Sequence, residues 1–531
     1  MPSLQDLPNE LLIHILSFIS ENTPPPEHLL ATDDDHDEKV DLQNLCLVSR
    51  TLCEAAQPFL YRSFYTDGLL DHLSSVISFA RTICQRPDLA KHVKDLSIVP
   101  CEAHSTRCLP YGKNLKVEEK ALFKSAVQDL NLGDQEQIWI QDMEETDLNI
   151  FTAILVAKTP NISDLSLAAG ESSILKAFDY LFDRNPLFLS GLKSFSIECE
   201  DMFTAYPISQ YEKLLTLPKL KTVHFELGDL NGNLFPSSWT PGALGLENII
   251  FSQCHIDASA LQKLMQACRG LKSFNYMNFE SVPSMQRATI TIQNPRAEFN
   301  AAEAHEAILL QKDTLEAFCL TYHRDTMARD IRELEQHISS HVNIGSFREF
   351  SALKKIQISH AICPLHPELP WCIKEFTIDD CELSFRKEIR NIAKDCRKKL
   401  YPDFVKFKVL TSDVSQPIML PGQRIPDKGT PQEIFIQHQQ LFQPSNVDLQ
   451  IYPYRMPDLE DPDLDSYMDD DFDEYGDYDG EDWYDDIEQG PEGLVRHMQR
   501  TGMGPTDIIR SMNRHRADGS VIPPWEEEFI M

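Results

Sequence analysis

Apolar residues recur with a helical period close to the start of the chain. They fall three or four positions apart, which places one apolar stripe along a short helix. Pro8 suits the first turn of that helix, because a proline there removes no intrahelical hydrogen bond, and Asp6 can accept from free backbone donors. The stripe is formed by Leu11, Leu12, Ile15, Leu16, Phe18 and Ile19.

The next apolar positions predict a second helix and a short third segment. The second helix begins near Asp41, and the third segment covers residues 58–61. The buried side of the second helix carries Leu42, Leu45, Leu52 and Cys53. Three short helices within about sixty residues cannot bury this much apolar surface among themselves. The rest of the chain or a partner must cover the excess.

A different pattern recurs between residues 93 and 378. An apolar residue is followed by two free positions, a second apolar residue, one free position and a third apolar residue. From Ile162 to Leu271 the copies start 30, 28, 26 and 25 residues apart, which is close to the period of repeats that pair a strand with a helix. The nine copies are Val93-Leu96-Ile98, Ile162-Leu165-Leu167, Leu192-Phe195-Ile197, Leu220-Val223-Phe225, Leu246-Ile249-Phe251, Leu271-Phe274-Tyr276, Leu315-Phe318-Leu320, Leu353-Ile356-Ile358 and Ile373-Phe376-Ile378.

Three of these copies continue the pattern with a cysteine and a later apolar residue, through Cys254, Cys381 and, more weakly, Cys101. With these additions the region resembles an irregular array of leucine-rich repeats, which implies an α/β solenoid. The alternative is an unrelated α/β fold, since short strands in any such fold look alike. Nine copies with helical stretches between them favour the repeat interpretation.

Strand alternation places the second, fourth and sixth positions after the first residue of each copy on the open face of such a solenoid. We expect a protein substrate to bind there. Recognition chiefly through phosphate is not expected, because these positions contain one lysine, Lys355, and no arginine. The residues favoured for substrate binding are Glu198, His224, Glu226, Asn275, Gln357 and Asp379.

Negative charge is concentrated after the repeats. The net charge is −34, and residues 458–488 contain seventeen Asp or Glu and no Lys or Arg. Such a segment should be disordered, because it cannot bury enough apolar area to offset its ordering. It either stays free or docks on a basic ridge along one rim of the repeats. That ridge is predicted from Lys94, Lys193, Lys221, Lys272, Lys354 and Lys374, which follow the first residue in six of the nine copies.

The residue order of the first sixty positions is more specific than its periodicity. LPNELLIHILSF begins at Leu7, LCLVSR at Leu45 and FLY at Phe59, and together they resemble the F-box. One departure is the stretch at residues 20–40, which reads as a solvated loop between the first two helices. The resemblance implies docking onto the Skp adaptor of SCF-type cullin–RING ubiquitin ligases. The implied adaptor-binding or supporting residues are Leu7, Pro8, Leu11, Leu12, Ile15, Leu16, Leu45, Val48, Leu60 and Tyr61.

These segments predict an α/β chain with five regions. They are a three-helix F-box at residues 1–65 with an inserted loop at 20–40, a leucine-rich-repeat-like solenoid that binds substrate at 66–400, a Pro/Gln-rich extension at 401–457, a disordered acidic segment at 458–490, and a C-terminal segment at 491–531 that is mildly basic in its first half.

Composition and motifs exclude several classes of function. The acidic balance argues against general nucleic-acid binding, which needs a basic surface. No run of eighteen apolar residues and no signal peptide at Met1 occurs, so we expect a soluble protein of the cytoplasm, the nucleus or both, without membrane association. The thirteen cysteines then read as small buried hydrophobes in a reducing compartment.

No residue constellation for catalysis appears, so neither enzymatic activity nor a cofactor is expected. Residues 471–482 resemble a calcium loop, but Tyr475 replaces an oxygen ligand and no helices are predicted at its flanks. A metal site is not expected elsewhere either, because two groups with loosely ligand-like spacing each lack a clear fourth ligand. These groups are Cys101, His104 and Cys108, and Cys363, His366 and Cys372.

The sequence therefore predicts a non-catalytic substrate-recognition subunit of an SCF-type ligase. It would bind the Skp adaptor, and through it the cullin–RING ligase, by the F-box, and an unidentified protein substrate by the repeats. The alternative is a leucine-rich-repeat scaffold that does not direct ubiquitination. Such a scaffold could bind the adaptor for another purpose or use the helices only as a cap.

Overall fold

The structure is a computed structural model that describes residues 7–21, 34–66, 72–98, 115–169, 172–199, 206–280, 301–324, 342–364, 366–381, 385–411, 436 and 438–453. The chain divides into two units, Met1–Tyr454 and Arg455–Met531. All described residues belong to the first unit. The predicted acidic segment at 458–490 and the C-terminal segment at 491–531 lie outside the described residues.

The described part of the chain begins with three helices, α1 (Asn9–Glu21), α2 (Asp34–Val48) and α3 (Arg50–Leu60). The backbone carbonyl of Pro8 accepts hydrogen bonds from the N–H groups of Leu11 and Leu12, at 3.0 and 3.1 Å, which fixes the start of α1. The second helix begins at Asp34 rather than near Asp41, so the end of the loop predicted at residues 20–40 is helical.

The boundary between α2 and α3 lies at Ser49. Its backbone is extended, and its Oγ accepts a hydrogen bond of 3.2 Å from the N–H of Leu52, which caps α3. Leu52 and Cys53 therefore belong to the third helix, which spans eleven residues instead of the four predicted. The sequence did not reveal this boundary because Leu45 and Leu52 are seven positions apart, a spacing that one continuous helix also produces.

The three helices have a small core of their own and a direct connection to the rest of the unit. The buried members of this core are Leu16, Leu42 and Ala56, one from each helix. After α3 the chain enters the first strand, where Phe64 stacks on Phe79 with ring centroids 4.2 Å apart. Tyr61 packs on the same phenyl ring at 6.2 Å. These aromatic contacts join the helices to the main core.

Among the residues that the structure describes, twelve parallel strands form one large sheet, and their order in the sheet follows their order in the chain. A second sheet contains three short parallel strands, β5, β7 and β9. Among the described residues the strands are β1 (Ser63–Tyr65), β2 (Asp95–Ile98), β3 (Asp164–Ala169), β4 (Ser194–Cys199), β5 (Tyr206–Pro207), β6 (Thr222–Glu226), β7 (Gly228–Leu230), β8 (Asn248–Ser252), β9 (His255–Ile256), β10 (Ser273–Glu280), β11 (Ala317–Arg324), β12 (Lys355–Ser359), β13 (Glu375–Cys381), β14 (Lys406–Thr411) and β15 (Asp448–Pro453).

Helices occur in many of the connections between strands, as parallel neighbours require a crossover. In the ranges that the structure describes, none of the helices is long and apolar enough to cross a membrane. The helices after β1 are α4 (His72–Gln85), α5 (Pro87–Ala90), α6 (Val117–Gln128), α7 (Glu136–Glu144), α8 (Leu148–Lys158), α9 (Ser172–Arg184), α10 (Glu212–Leu215), α11 (Ala258–Ala267), α12 (Ala301–Ile308) and α13 (Arg386–Arg397).

All nine predicted triplets lie in or beside strands of the large sheet. Each contributes its second and third residues to a strand, and its first residue is buried just before that strand; Leu271, Phe274 and Tyr276 at β10 are an example. Equivalent residues pair across the sheet, so Phe274 is in register with Ile249 and with Phe318. The resulting apolar rows form one continuous core. The predicted α/β class is confirmed, with a large parallel sheet.

The sheet continues beyond the predicted repeat region at both ends. The boundary predicted at residue 400 is wrong as an end of the sheet, because β14 pairs with β13 and β15 pairs with β14. A tenth triplet, Phe404-Phe407-Val409, supplies buried residues at β14. At β15 the pattern is incomplete, because the polar Asn446 stands where the first apolar residue is expected. Its φ of 56° lies in the left-handed region, which asparagine adopts more readily than most residues.

Candidate functional site

The N-terminal helices present an apolar surface on one side of α1. Leu11, Ile15 and Phe18 follow one another at helical spacing and remain 48%, 38% and 55% exposed; we call these three residues the helix face. The other side of α1 is packed, since Leu12 and Leu16 are buried. α1 therefore carries apolar residues on two sides, of which only one is covered by α2 and α3.

The ten residues predicted to bind or support the adaptor differ in exposure. Pro8, Leu11, Ile15 and Val48 are exposed, Leu7, Leu45, Leu60 and Tyr61 are half-buried, and Leu12 and Leu16 are buried. The two buried leucines can support a binding surface but cannot contact a partner while the helices stay folded. Tyr61 packs on Phe79 at the junction with the sheet. Helical periodicity predicted the apolar positions, whereas packing decided which of them remain accessible.

The second surface is the side of the large sheet whose residues alternate with the buried rows; we call it the open face. All six predicted substrate residues lie on it. They fall into two groups, one on each side of β8. Glu198 lies on β4, and His224 and Glu226 lie on β6, whereas Asn275 lies on β10, Gln357 on β12 and Asp379 on β13.

The first group belongs to a polar network. The two ring nitrogens of His224 are hydrogen-bonded to the hydroxyls of Ser196 and Ser252, at 3.3 and 3.0 Å. Ser166 Oγ donates to Glu198 Oε1 at 2.7 Å. Burial lowers the pKa of His224 and raises the pKa of Glu198. These contacts satisfy the half-buried polar groups, so this part of the open face is already internally bonded.

The open face of β2–β6 is also acidic. Among the described residues, the second, fourth and sixth positions after the first residue of each copy include four carboxylates and no Lys or Arg in these strands. Asp95 and Asp164 are directly paired across β2 and β3. Burial and the neighbouring Asp164 carboxylate raise the pKa of Asp95 to about 6. The four carboxylates are Asp95, Asp164, Glu198 and Glu226.

The second group lies at a groove of about 570 Å³ that crosses β10–β15. Its open-face lining includes Ser273, Asn275, Lys355, Gln357, Glu375 and Lys408. Asp379 lies beside the groove, where its Oδ2 accepts a hydrogen bond of 2.7 Å from Gln357 Nε2. Burial raises the pKa of Asp379 to about 6, although the hydrogen bond from Gln357 opposes that shift. The groove is a concave part of the open face that has room for a ligand.

Part of the groove was missed by the sequence analysis. Lys408, Leu410 and Tyr452 line it, but they belong to β14 and β15, beyond the predicted end of the repeats. The signal for β14 was present, because Phe404-Phe407-Val409 repeats the triplet pattern of the other strands. With Lys406 and Lys408 included, the open face carries more lysine than the single Lys355 predicted from the sequence.

The predicted basic ridge is corrected by the structure. In two of the nine copies the residue after the first is a glutamate, Glu247 or Glu316, so the rim carries positive and negative side chains. Lys221 Nζ and Lys272 Nζ contact the Glu247 carboxylate at 2.8 and 2.6 Å, and Lys354 Nζ contacts Glu316 at 2.6 Å. Hydrogen bonds from both lysines lower the pKa of Glu247 to about 2. We call Lys221, Glu247, Lys272, Glu316 and Lys354 the rim ladder.

The cysteines make structural contacts. Cys254, expected from the repeat pattern, donates its thiol to the carbonyl of Phe225 at 3.1 Å. Cys363 and Cys372 bond to the backbone carbonyls of Pro364 and Leu353. No group of three His, Cys, Asp or Glu side chains suited to a metal ion occurs within the described ranges. Cys101, His104, Cys108 and the calcium-loop-like residues 471–482 lie outside them.

A family model for a leucine-rich repeat domain matches residues 243–370. The match spans β8 to β12 and so includes three of the strands that form the groove. The predicted leucine-rich repeat is thereby confirmed for this part of the chain, and it indicates a role in protein interaction. No curated protein sequence matches the chain.

Proposed function

We propose that this chain, which contains a leucine-rich repeat domain at residues 243–370, is the non-catalytic substrate-recognition subunit of an SCF-type cullin–RING ubiquitin ligase. In this proposal the helix face docks on the Skp adaptor, and the open face of the sheet binds a protein substrate. The ligase assembled on the adaptor then transfers ubiquitin to that substrate, in the cytoplasm or the nucleus.

The exposed helix face is the observation that carries the proposal. Leu11, Ile15 and Phe18 are about half exposed on a helix whose other side is already packed. Burial of apolar surface contributes about 25 cal/mol per Å², so three such side chains can anchor a stable interface. The same residues stand in the segment that resembles the F-box, whose adaptor-facing positions are apolar.

The connection between the helices and the sheet supports the same division of labour. α3 passes into β1 through Tyr61 and Arg62, and Phe64 stacks on Phe79 of α4. A substrate receptor must hold its substrate at a set position relative to the ligase. A short connection with aromatic packing on both sides provides such a link without a long linker.

The test is binding of the purified Skp adaptor to the full-length chain. Phe18→Asp places a charge in the helix face, and we expect it to weaken adaptor binding by at least about 100-fold. Leu187→Asp is the matched control, because Leu187 is an exposed leucine of the repeat region, outside the helix face. Both variants should retain the melting temperature of the parent chain, since both side chains are exposed.

Two results would contradict the proposal. Adaptor binding that survives Phe18→Asp would show that the helix face is not the docking site, which favours the use of the helices as a cap. Adaptor binding without co-purification of a cullin from cells would favour the scaffold alternative. Loss of cullin co-purification by Phe18→Asp, but not by Leu187→Asp, is the result we expect.

A further inference from the structure

The groove across β10–β15 has the dimensions of an extended peptide. Neighbouring strands in a sheet lie about 4.8 Å apart, so six strands span about 24 Å. An extended chain advances about 3.3 Å per residue, so about seven residues can cross this distance. The groove is lined mainly by side chains of the open face, and its volume is about 570 Å³. These dimensions suit a linear segment of a partner rather than a folded surface.

Two side-chain amides in the groove are placed to bind a peptide main chain. Asn275 and Gln357 occupy equivalent positions on β10 and β12, two strands or about 10 Å apart. An amide can both donate to a carbonyl and accept from an N–H. Asn275 Oδ1 is shielded from water and has no hydrogen-bond partner among the described residues. Rotation of the amide would place this oxygen where the nitrogen now lies, and there it could accept a hydrogen bond from a ligand N–H in the groove.

The charges in the groove favour an acidic ligand. Lys408 is paired with Glu375, whereas Lys355 is exposed and has no ion pair within the ranges that the structure describes. Asp379 does not compensate this charge at the surface, because it is buried. The lining thus carries one accessible cation without a partner. The acidic open face of β2–β6 would repel the same ligand, which confines it to the groove.

The kind of anion follows from the residue types. No arginine occupies the second, fourth or sixth open-face position of the described strands β10–β15. Phosphate is typically held by bidentate arginine, whereas a single lysine offers a point charge that a carboxylate can match. Leu410 on β14 and the exposed Tyr452 ring on β15 add an apolar area. Leu410 lies two strands across and four residues along from Lys355 on β12, which is roughly 16 Å, the length of about five extended residues.

We propose that the groove binds an extended segment of a protein partner, with an Asp or Glu side chain at Lys355 and an apolar side chain at Leu410 and Tyr452. Asn275 and Gln357 bind the main chain between these two anchors or beside them. This inference rests on the proposed function, because it names the class of substrate that the open face would take.

The experiment selects from displayed random twelve-residue peptides on the immobilised full-length chain. Peptides enriched on the parent protein are synthesised, and their affinities are measured by fluorescence polarisation. We expect the enriched peptides to share an Asp or Glu and an apolar residue about five positions apart. Lys355→Gln and Asn275→Ala should each weaken binding about ten-fold or more. Lys193→Gln, which removes an exposed lysine at the start of β4, is the matched control and should change affinity less than two-fold.

Three results would overturn the inference: no enriched peptide, enrichment without an excess of acidic residues, or equal binding to Lys355→Gln and the parent. A second comparison uses peptides with phosphoserine in place of the glutamate. Tighter binding of the phosphoserine peptide would contradict the proposal that Lys355 binds a carboxylate. Phe18→Asp should leave peptide binding unchanged. Failure of the groove and failure of adaptor docking are therefore separate results.

Discussion

The helix face and the open face differ in what they leave unsatisfied. The helix face leaves apolar area in water, because Leu11, Ile15 and Phe18 are about half exposed. The open face carries many polar groups, and several of them bond to neighbouring strands, as His224 does with two serines. The first surface can gain free energy from any partner of complementary shape, whereas the second selects a partner by hydrogen bonds and charge.

This difference has a consequence for how mutations act. Substitution of an exposed residue on the helix face, such as Ile15, can change binding without changing stability. Substitution of its buried neighbour Leu16 changes stability and affects binding only through folding. On the open face the two effects overlap, because a side chain that contacts a ligand often bonds to another strand as well. Gln357 is an example, since it lines the groove and donates to Asp379. Four measurements can test this comparison.

The largest effect is expected for Leu16→Ala. Leu16 is buried in the small core of α1–α3, and truncation of a buried leucine costs about 2–4 kcal/mol of unfolding free energy. Because this core is separate from that of the sheet, hydrogen exchange should accelerate in α1–α3 while the strands keep their protection. Phe18→Ala on the helix face should change the unfolding free energy by less than about 1 kcal/mol. Equal acceleration in helices and strands would show that the two cores unfold as one.

A stabilising effect is expected for Asp379→Asn. Burial raises the pKa of Asp379 to about 6, above its value in the unfolded chain, so protonation favours the folded state. The stability from this group is complete below about pH 4 and is lost as the pH rises through 6. The amide should therefore add about 2 kcal/mol at pH 7.5 and little at pH 4, as measured by urea unfolding. Asp448→Asn, at an exposed site on β15, is the control. A gain that does not depend on pH would exclude this cause.

A smaller loss is expected for Ser252→Ala. The substitution removes the hydroxyl that bonds to His224 Nε2 and leaves that half-buried nitrogen without its partner. The loss of one such hydrogen bond costs about 1 kcal/mol. Lys355→Gln, on the same face but without an ion pair to the described residues, should have no measurable effect on thermal unfolding. If both variants melt like the parent, the polar network on β4–β8 does not stabilise the sheet.

The smallest effect is expected at the rim ladder. Glu247→Gln removes contacts with Lys221 and Lys272, but both lysine side chains are about half exposed to water and Glu247 is 28% exposed. We expect the melting temperature to fall by no more than about 2 °C at low salt and by less in 0.5 M NaCl. Contacts with these lysines lower the pKa of Glu247 to about 2, so the small difference should disappear as the pH falls below 4 towards that value. A large, salt-independent loss would contradict this interpretation.

The sequence was sufficient for features that depend on local periodicity. The triplet pattern located nine strands of the large sheet, because each strand must turn two alternate residues into the core and anchor its start with a third. The same periodicity predicted one apolar stripe on α1 that is too broad for the neighbouring short helices to cover. The tenth triplet, Phe404-Phe407-Val409, also fits the pattern in the sequence. It was not predicted as a strand, because a proline-rich sequence follows it.

Only the tertiary structure decided which groups meet. Packing of α1 on α2 and α3 buried Leu12 and Leu16 and left Leu11 and Phe18 exposed, although all four are apolar residues of one helix. Strand register placed Glu247 between two lysines and turned an apparent basic ridge into the rim ladder. The groove likewise needs six strands, from Ser273 at the start of β10 to Pro453 at the end of β15. Such contacts depend on the alignment of distant segments, which the periodicity of one segment does not encode.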